Sequence, residues 1–342
     1  MSIPRPDLSQ VPADVLAYIE YLEDELAQQP TAGERKPSVP FEPSEPPTTQ
    51  QLITITQAGV AKRTARHWYQ RQRRAGMGIF DIDCNEADPP KQLLFATAED
   101  TLLVLTSLAR AFRLPVQAIP ETEIRAKGQN LSDLLPLHAG ESIAVCAVDV
   151  GAPYLTVLGN KGFVRSLPKH LLGERMTPGM AVYDLREGGI PVAVCRHDLQ
   201  AHIFVATKLG MAARFPAREI PTFGCPGIRL GTNDTPIGIV ATSAKEGVLL
   251  VGADGKGSIR LMEGFAANQK PNVSGKIALK TDALIGIAPV DEHSDVFIIS
   301  RLSKLIRFKT EEIPAKEGVV QGVICMTLRA DECVALVTSS AG

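Results

Sequence analysis

Residues 102–113 read LLVLTSLARAFR: an apolar run, a short turn, and a second run ending in a base. The same phrase occurs five more times, as LITITQAGVAKR at 52–63, YLTVLGNKGFVR at 154–165, IFVATKLGMAAR at 203–214, VLLVGADGKGSIR at 248–260 and VFIISRLSKLIR at 296–307. Each phrase leads to a glycine beside an apolar stretch. These glycines are Gly78, Gly128, Gly179, Gly227, Gly275 and Gly322, spaced 50, 51, 48, 48 and 47 residues apart. A further apolar run then closes each unit: LLFAT, IAVCAV, VAVC, IGIVAT, LIGIAPV and VALVT. Units of about four short strands that cannot bury a face alone stack around an axis into a propeller-like disc. The expected fold is therefore all-β, a six-bladed disc of about 48-residue repeats over residues 50–342. Whether neighbouring blades exchange strands is open at this level.

Composition agrees with that reading. Of 342 residues, 44 % are hydrophobic but only 5 % aromatic, and 28 glycines and 25 prolines suit short strands joined by turns. The net charge of −2 argues against a uniformly basic surface, but the charge is uneven. Residues 1–49 hold nine acids and three bases, whereas 50–80 hold six bases (Lys62, Arg63, Arg66, Arg71, Arg73, Arg74) and no acid. A local basic patch is what counterion release from a polyanion requires. The six cysteines form no CxxC pair and have no histidine at zinc spacing, so they read as reduced thiols, and no metal site is expected. The N-terminus lacks a signal-peptide core and no apolar run reaches the roughly 18 residues of a membrane span, so no membrane contact and a cytoplasmic, nucleoid-associated location are expected.

Ahead of the repeats, residues 12–28 place Val15, Leu16, Ile19, Leu22 and Leu26 at helical spacing, which predicts an amphipathic helix within 1–29. Its apolar stripe either caps the disc, self-associates or docks on a partner. Residues 30–49, with Pro30, Pro37, Pro40, Pro43, Pro46 and Pro47, read as an extended linker.

The phrases TQAGVAKR, TKLGMAAR and FGCPGIRL resemble the repeat of the DNA gyrase A C-terminal domain, shared with the topoisomerase IV ParC protein. The resemblance covers residues 50–342 and implies a β-pinwheel, in which adjacent blades exchange strands. The family signature Q-R-R-G-G-K-G is matched at five of seven positions by Gln72, Arg73, Arg74, Gly76 and Gly78, with Ala75 and Met77 departing from it. In gyrase this box is required for chiral wrapping, so the departures bear on wrapping more than on simple binding or bending. The family's breakage–reunion domain with its nucleophilic tyrosine is not matched. Tyr18, Tyr21, Tyr69, Tyr154 and Tyr183 lie in the helix or the repeats, so the chain is expected to catalyse nothing by itself.

Two groups of residues are candidates for DNA contact. Lys62 and Arg63, Arg113, Arg165, Arg214, Arg260 and Arg307 recur on the second strand of each unit and would form a basic ring on the disc's rim. Against this, each could merely solvate or guard a strand edge. Arg66, Arg71, Gln72, Arg73, Arg74, Gly76 and Gly78 form the second group, where guanidinium groups and flexible backbone suit phosphate capture. Trp68 and Tyr69 are read as anchors of that loop. The histidines show no HxH or HExxH spacing; His197 with Asp198, and His293 with Glu292, read as surface pairs. No ATP loop is visible, and GADGKG at 252–257 reads as a hairpin turn, so no cofactor is expected. The expected function is non-catalytic, largely sequence-independent binding and bending of duplex DNA, assisting a type II topoisomerase. The rival is a protein-interaction scaffold, favoured by acids such as Glu141, Asp149, Glu174, Asp184 and Glu187 that would interrupt a basic track.

Overall fold

The computed structural model describes residues 45–149, 151–291 and 293–339. The expected N-terminal helix and residues 30–44 of the linker lie outside the described residues. Unit 1 supplies β1 (Gln51–Thr56), β2 (Val60–Ala65), β3 (Ile79–Phe80) and β4 (Pro90–Ala96), and unit 2 supplies β5 (Thr101–Thr106), β6 (Arg110–Pro115), β7 (Gln129–Asn130) and β8 (Ile143–Val148). Unit 3 contains β9 (Tyr154–Gly159), β10 (Phe163–Pro168), β11 (Met180–Ala181) and β12 (Pro191–His197); unit 4 contains β13 (His202–Thr207), β14 (Met211–Pro216), β15 (Cys225–Pro226) and β16 (Pro236–Thr242). Unit 5 contains β17 (Gly247–Gly252), β18 (Lys256–Leu261), β19 (Lys276–Ile277) and β20 (Leu284–Val290); unit 6 contains β21 (Asp295–Ser300), β22 (Lys304–Lys309), β23 (Ala315–Lys316), β24 (Val323–Ile324) and β25 (Cys333–Ser339).

The first, second and last strands of a unit pair antiparallel within one blade, and the third crosses to the blade before. The sheets run β4-β1-β2-β7, β8-β5-β6-β11, β12-β9-β10-β15, β16-β13-β14-β19, β20-β17-β18-β23 and β25-β21-β22-β3. β24 also pairs with β18. The repeats alone left exchange open, and the exchange that the family resemblance implies is present. The last sheet closes the disc, because its outer strand comes from unit 1. The strands β4, β8, β12, β16, β20 and β25 line an axial cavity, which leaves the donated strands at the outer edge.

Hairpin chemistry fixes the first two strands of every unit. Each turn has three residues, closed by an amide-to-carbonyl bond such as Gly59 N–H to Thr56 O at 3.1 Å. The third turn residue is left-handed in all six, with four glycines plus Ala109 at φ 54° and Ser303 at φ 63°. This is the three-residue hairpin with a bulge. Ser303 offsets its strain by donating its hydroxyl to Ile82 O at 2.8 Å and accepting the Ile82 N–H at 2.9 Å.

The first strands are buried on both faces, which is why they read as unbroken apolar runs. Leu102 and Val104 of β5 pack with Ile53 and Ile55 of β1, while Leu103 and Leu105 face Leu155 and Val157 of β9. The same alternation gives one core cluster at each blade–blade contact, including Leu52 with Phe297 and Ile299 where blade 6 meets blade 1.

The repeat glycines mark where a donated segment presses on the preceding blade. A Cβ on Gly128 would lie 2.5 Å from Ala61 O, and one on Gly78 would lie 2.8 Å from Leu305 O. Gly128→Ala should push β7 off β2 and destabilise the protein by about 1–3 kcal/mol, the usual cost of overpacking. Gly318→Ala, where nothing lies within 4 Å of the added carbon, should change stability by less than about 0.5 kcal/mol. Urea unfolding of the two variants checks the contrast.

Candidate nucleic-acid interface

The recurrent second-strand bases do not form an exposed ring. Lys62, Arg63, Arg214, Arg260 and Arg307 are 0, 9, 4, 7 and 1 % exposed, and Arg113 and Arg165 are half-buried. This corrects the rim expectation, and the cause is the two-sided burial of the inner hairpin. A guanidinium on this strand points into a blade–blade contact, where it must find partners. Arg63 donates to Ile119 O at 2.7 Å, Arg113 to Leu172 O at 2.8 Å, Arg165 to Thr222 O at 3.1 Å, Arg214 to Met262 O at 2.7 Å and Arg307 to Tyr69 O at 2.8 Å. Each of these carbonyls belongs to the next unit, with unit 1 following unit 6. The arginines are therefore clasps between blades. Arg260 instead contacts Gly264 O at 3.4 Å in its own unit and lies over the Phe265 ring.

Carboxylates complete several clasps. Arg307 pairs with Asp295 and with Glu45 at 2.6 Å, Arg63 with Glu121 at 2.9 Å, and Arg113 with Asp149. Lys62 pairs with Asp81 at 2.8 Å in full burial, and Asp81 also accepts the hydroxyls of Tyr69 and Thr54. Burial raises the Glu45 carboxyl pKa, but the Arg307 and Arg66 guanidinium groups outweigh this and hold it below its ordinary value. Arg214 and Arg260 have no carboxylate at ion-pair distance among the described residues, and burial lowers both. Glu141 and Asp149, expected to interrupt a basic track, are internal: Glu141 pairs with Arg110, and Asp149 also binds Arg196 at 2.6 Å.

The second candidate group lies along a strap crossing from blade 1 over blade 6. The Gln72 N–H bonds Arg307 O at 2.7 Å, the Ala75 N–H bonds Cys325 O at 2.8 Å, and Gly76 O accepts the Thr327 N–H at 3.0 Å. Ala75 stands at φ 65°, so the alanine keeps the left-handed backbone that glycine would adopt freely. Acids distant in sequence reach this group: Arg66 pairs with Glu45 and Arg71 with Asp295, each at 2.9 Å. Arg74 is half-buried and donates to Ile324 O at 3.1 Å, whereas Arg73 is exposed. Tyr69 is buried as an anchor, while Trp68 remains 45 % exposed beside His67.

Apart from Arg73, sequence reasoning missed the exposed cations of the donated segments. Residues 70–80, 121–130, 173–181, 221–230, 266–277 and 314–324 carry ten bases and four acids, in a chain whose net charge is −2. Arg73, Arg125, Lys127, Arg175, Arg229, Lys270, Lys276 and Lys316 are exposed there. The available signal was their position, since each lies within six residues of a repeat glycine.

His197 is a second correction. It is 3 % exposed, and its partner is not the Asp198 carboxylate. Nδ1 lies 2.8 Å from the Asp198 carbonyl, which can only accept, so Nδ1 carries the proton and Nε2 accepts from Thr156 Oγ1 at 2.7 Å. Burial lowers its pKa below the ordinary 6.5. The unfolded chain then binds this proton more readily, so the stability is complete above pH 6.5 and is lost as pH falls from there through the folded value. His197→Gln should flatten the pH dependence of Tm across that window. Arg307→Ala, which leaves Asp295 to Arg71 alone and takes the guanidinium donor from Tyr69 O in the blade 6–blade 1 contact, should cost about 1–3 kcal/mol. Arg73→Ala should cost less than about 0.5 kcal/mol, with chemical denaturation reading both.

Comparison with known proteins accords with this architecture. The family model described as DNA gyrase C-terminal domain, beta-propeller, matches residues 50–86, 100–143, 201–230 and 294–339. The DNA gyrase A protein of Helicobacter pylori is 28 % identical over 277 residues, 77 % of this chain and 34 % of that protein. Its Escherichia coli K12 counterpart is 24 % identical over 295 residues, 83 % and 34 % of the respective chains. The chain thus spans about a third of the length of the curated relatives it matches. A solved DNA gyrase A C-terminal domain superposes with a TM-score of 0.75 at 18 % identity, covering 84 % of this chain and 99 % of that one. The C-terminal domain of DNA topoisomerase IV gives 0.58 at 18 % identity, covering 84 % and 93 %. With its six exchanged-strand blades and these matches, the repeat disc has the β-pinwheel fold of the DNA gyrase A C-terminal domain and is similar to it in sequence.

Proposed function

We propose that this chain binds duplex DNA along the outer edge of the disc, largely without sequence preference, and bends it. It catalyses no strand breakage itself and acts beside a type II topoisomerase. The observation that carries this reading is the exposed cations on the donated segments, present on all six blades, while Glu121, Asp149 and Asp295 are paired with clasp arginines. Cations spread along a curved edge favour a duplex that follows the curve, because every further phosphate contact releases counterions. The strap residues Arg73 and Arg74, with Gly76 and Gly78 holding their backbone, are the natural first contact, since the strap carries no acid of its own. The buried bases Lys62, Arg63, Arg214, Arg260 and Arg307 contribute by holding the edge in shape.

Fluorescence anisotropy of the full chain on a labelled duplex, measured across a salt series, tests this. Affinity should fall steeply with salt. A variant carrying Arg73→Ala, Arg175→Ala, Arg229→Ala and Lys276→Ala should bind more weakly, with a slope shallower by close to one unit for each phosphate no longer neutralised. Absence of binding at low salt would overturn the reading and leave a protein-interaction scaffold.

A further inference from the structure

Unit 4 donates residues 221–230, PTFGCPGIRL, to blade 3, and this segment contains no acid. Its most prominent side chain is apolar. Phe223 is 76 % exposed, more than any other large hydrophobic residue among those described. It stands at the tip of a turn closed by the Gly224 N–H to Pro221 O bond at 2.9 Å. Both neighbours are fixed. The Arg165 guanidinium holds Thr222 O at 3.1 Å, and Gly224, at φ 92°, is pressed so closely on β10 that a Cβ there would lie 2.5 Å from the Phe163 ring. The ring is therefore presented outward from a rigid base instead of collapsing onto the blade.

Register places this position among its equivalents on the other blades. Phe223 lies four residues before the repeat glycine Gly227, and the same offset holds Arg74 and Arg175 in units 1 and 3 and Ile124, Pro271 and Gly318 in units 2, 5 and 6. On an edge whose equivalent sites include these cations, one site carries an exposed aromatic wedge, with Arg229 exposed on the same segment. A phenylalanine fixed in solvent beside a phosphate-binding track has the chemistry of a side chain that enters a base step and partly unstacks it.

We propose that Phe223 inserts between base pairs of the bound duplex and kinks it at blade 3, three blades away from the strap on blade 6. This rests on the DNA-binding reading above. Ordinary elastic bending spreads along the duplex, whereas a wedge concentrates the bend at one step and favours DNA already unstacked there.

The test uses the full chain and a duplex carrying end-placed donor and acceptor dyes, with and without a central mismatch. The wild-type chain should bring the ends together and bind the mismatched duplex at least about fivefold more tightly, since mismatch lowers the unstacking cost. Phe223→Ala should keep affinity for the matched duplex within about tenfold, lose the mismatch preference and bend less. Phe223→Arg, which installs the cation found at two of the equivalent sites, should steepen the salt slope by close to one unit without restoring the preference. Wild-type bending and mismatch preference retained in Phe223→Ala would overturn the wedge while leaving DNA binding intact. Failure of the wild-type chain to bind either duplex would instead overturn the DNA reading itself, and the wedge with it.

Discussion

Every blade depends on backbone hydrogen bonds that its own unit cannot complete. After β1 and β2 pair, the outer edge of β2 carries unpaired amide and carbonyl groups, and the partner arrives from unit 2 as β7. The same need passes around the disc until β3 meets β22. This requirement explains features that otherwise look unrelated. The donated segment must approach the preceding strand at backbone distance, so a glycine recurs there. The contact between successive units must then hold, so in five of the six units an arginine on the second strand reaches carbonyls of the following unit.

Those arginines show how burial decides the fate of a charge. Arg73 and Arg307 are the same residue type, and the strap brings their backbones together, since Gln72, next to Arg73, bonds Arg307 O. One side chain faces solvent; the other is enclosed by Asp295, Glu45 and two backbone carbonyls. Desolvating a guanidinium is costly unless its donors are all used, so the enclosed arginine is committed to the fold. Only the solvent-facing set remains available to phosphates.

The six units, their hairpins and their repeat glycines are legible in the sequence because they are local: an unbroken apolar run, a short turn, a spacing near 50. Exchange is legible only through the family resemblance and not from the residues themselves, since a two-residue strand such as Ile79–Phe80 pairs equally well with its own unit or a neighbour's until the ring geometry chooses. The fate of the bases is hidden for a related reason. The stretch 50–80 contains no acid, yet Asp81, Glu121, Asp295 and Glu45 all reach its bases, and ring closure brings Asp295 from 224 positions away to Arg71. His197 reads as a surface group in the sequence because a histidine beside an aspartate says nothing of the hydroxyls on β9 and β10 that enclose it.

Closure by a strand from unit 1 also has a kinetic side. The pairing of Leu305 with Ile79 joins segments at opposite ends of the disc's sequence, and such non-local pairing forms slowly, although doubling an already long loop adds only about 0.6 kcal/mol of closure entropy. Until it forms, β22 is a bare edge. An edge waiting for one specific segment accepts that segment from a second chain as readily as from its own, which is the route to domain-swapped oligomers. Refolding of this disc is consequently a competition between intramolecular closure, independent of protein concentration, and intermolecular capture, which grows with it.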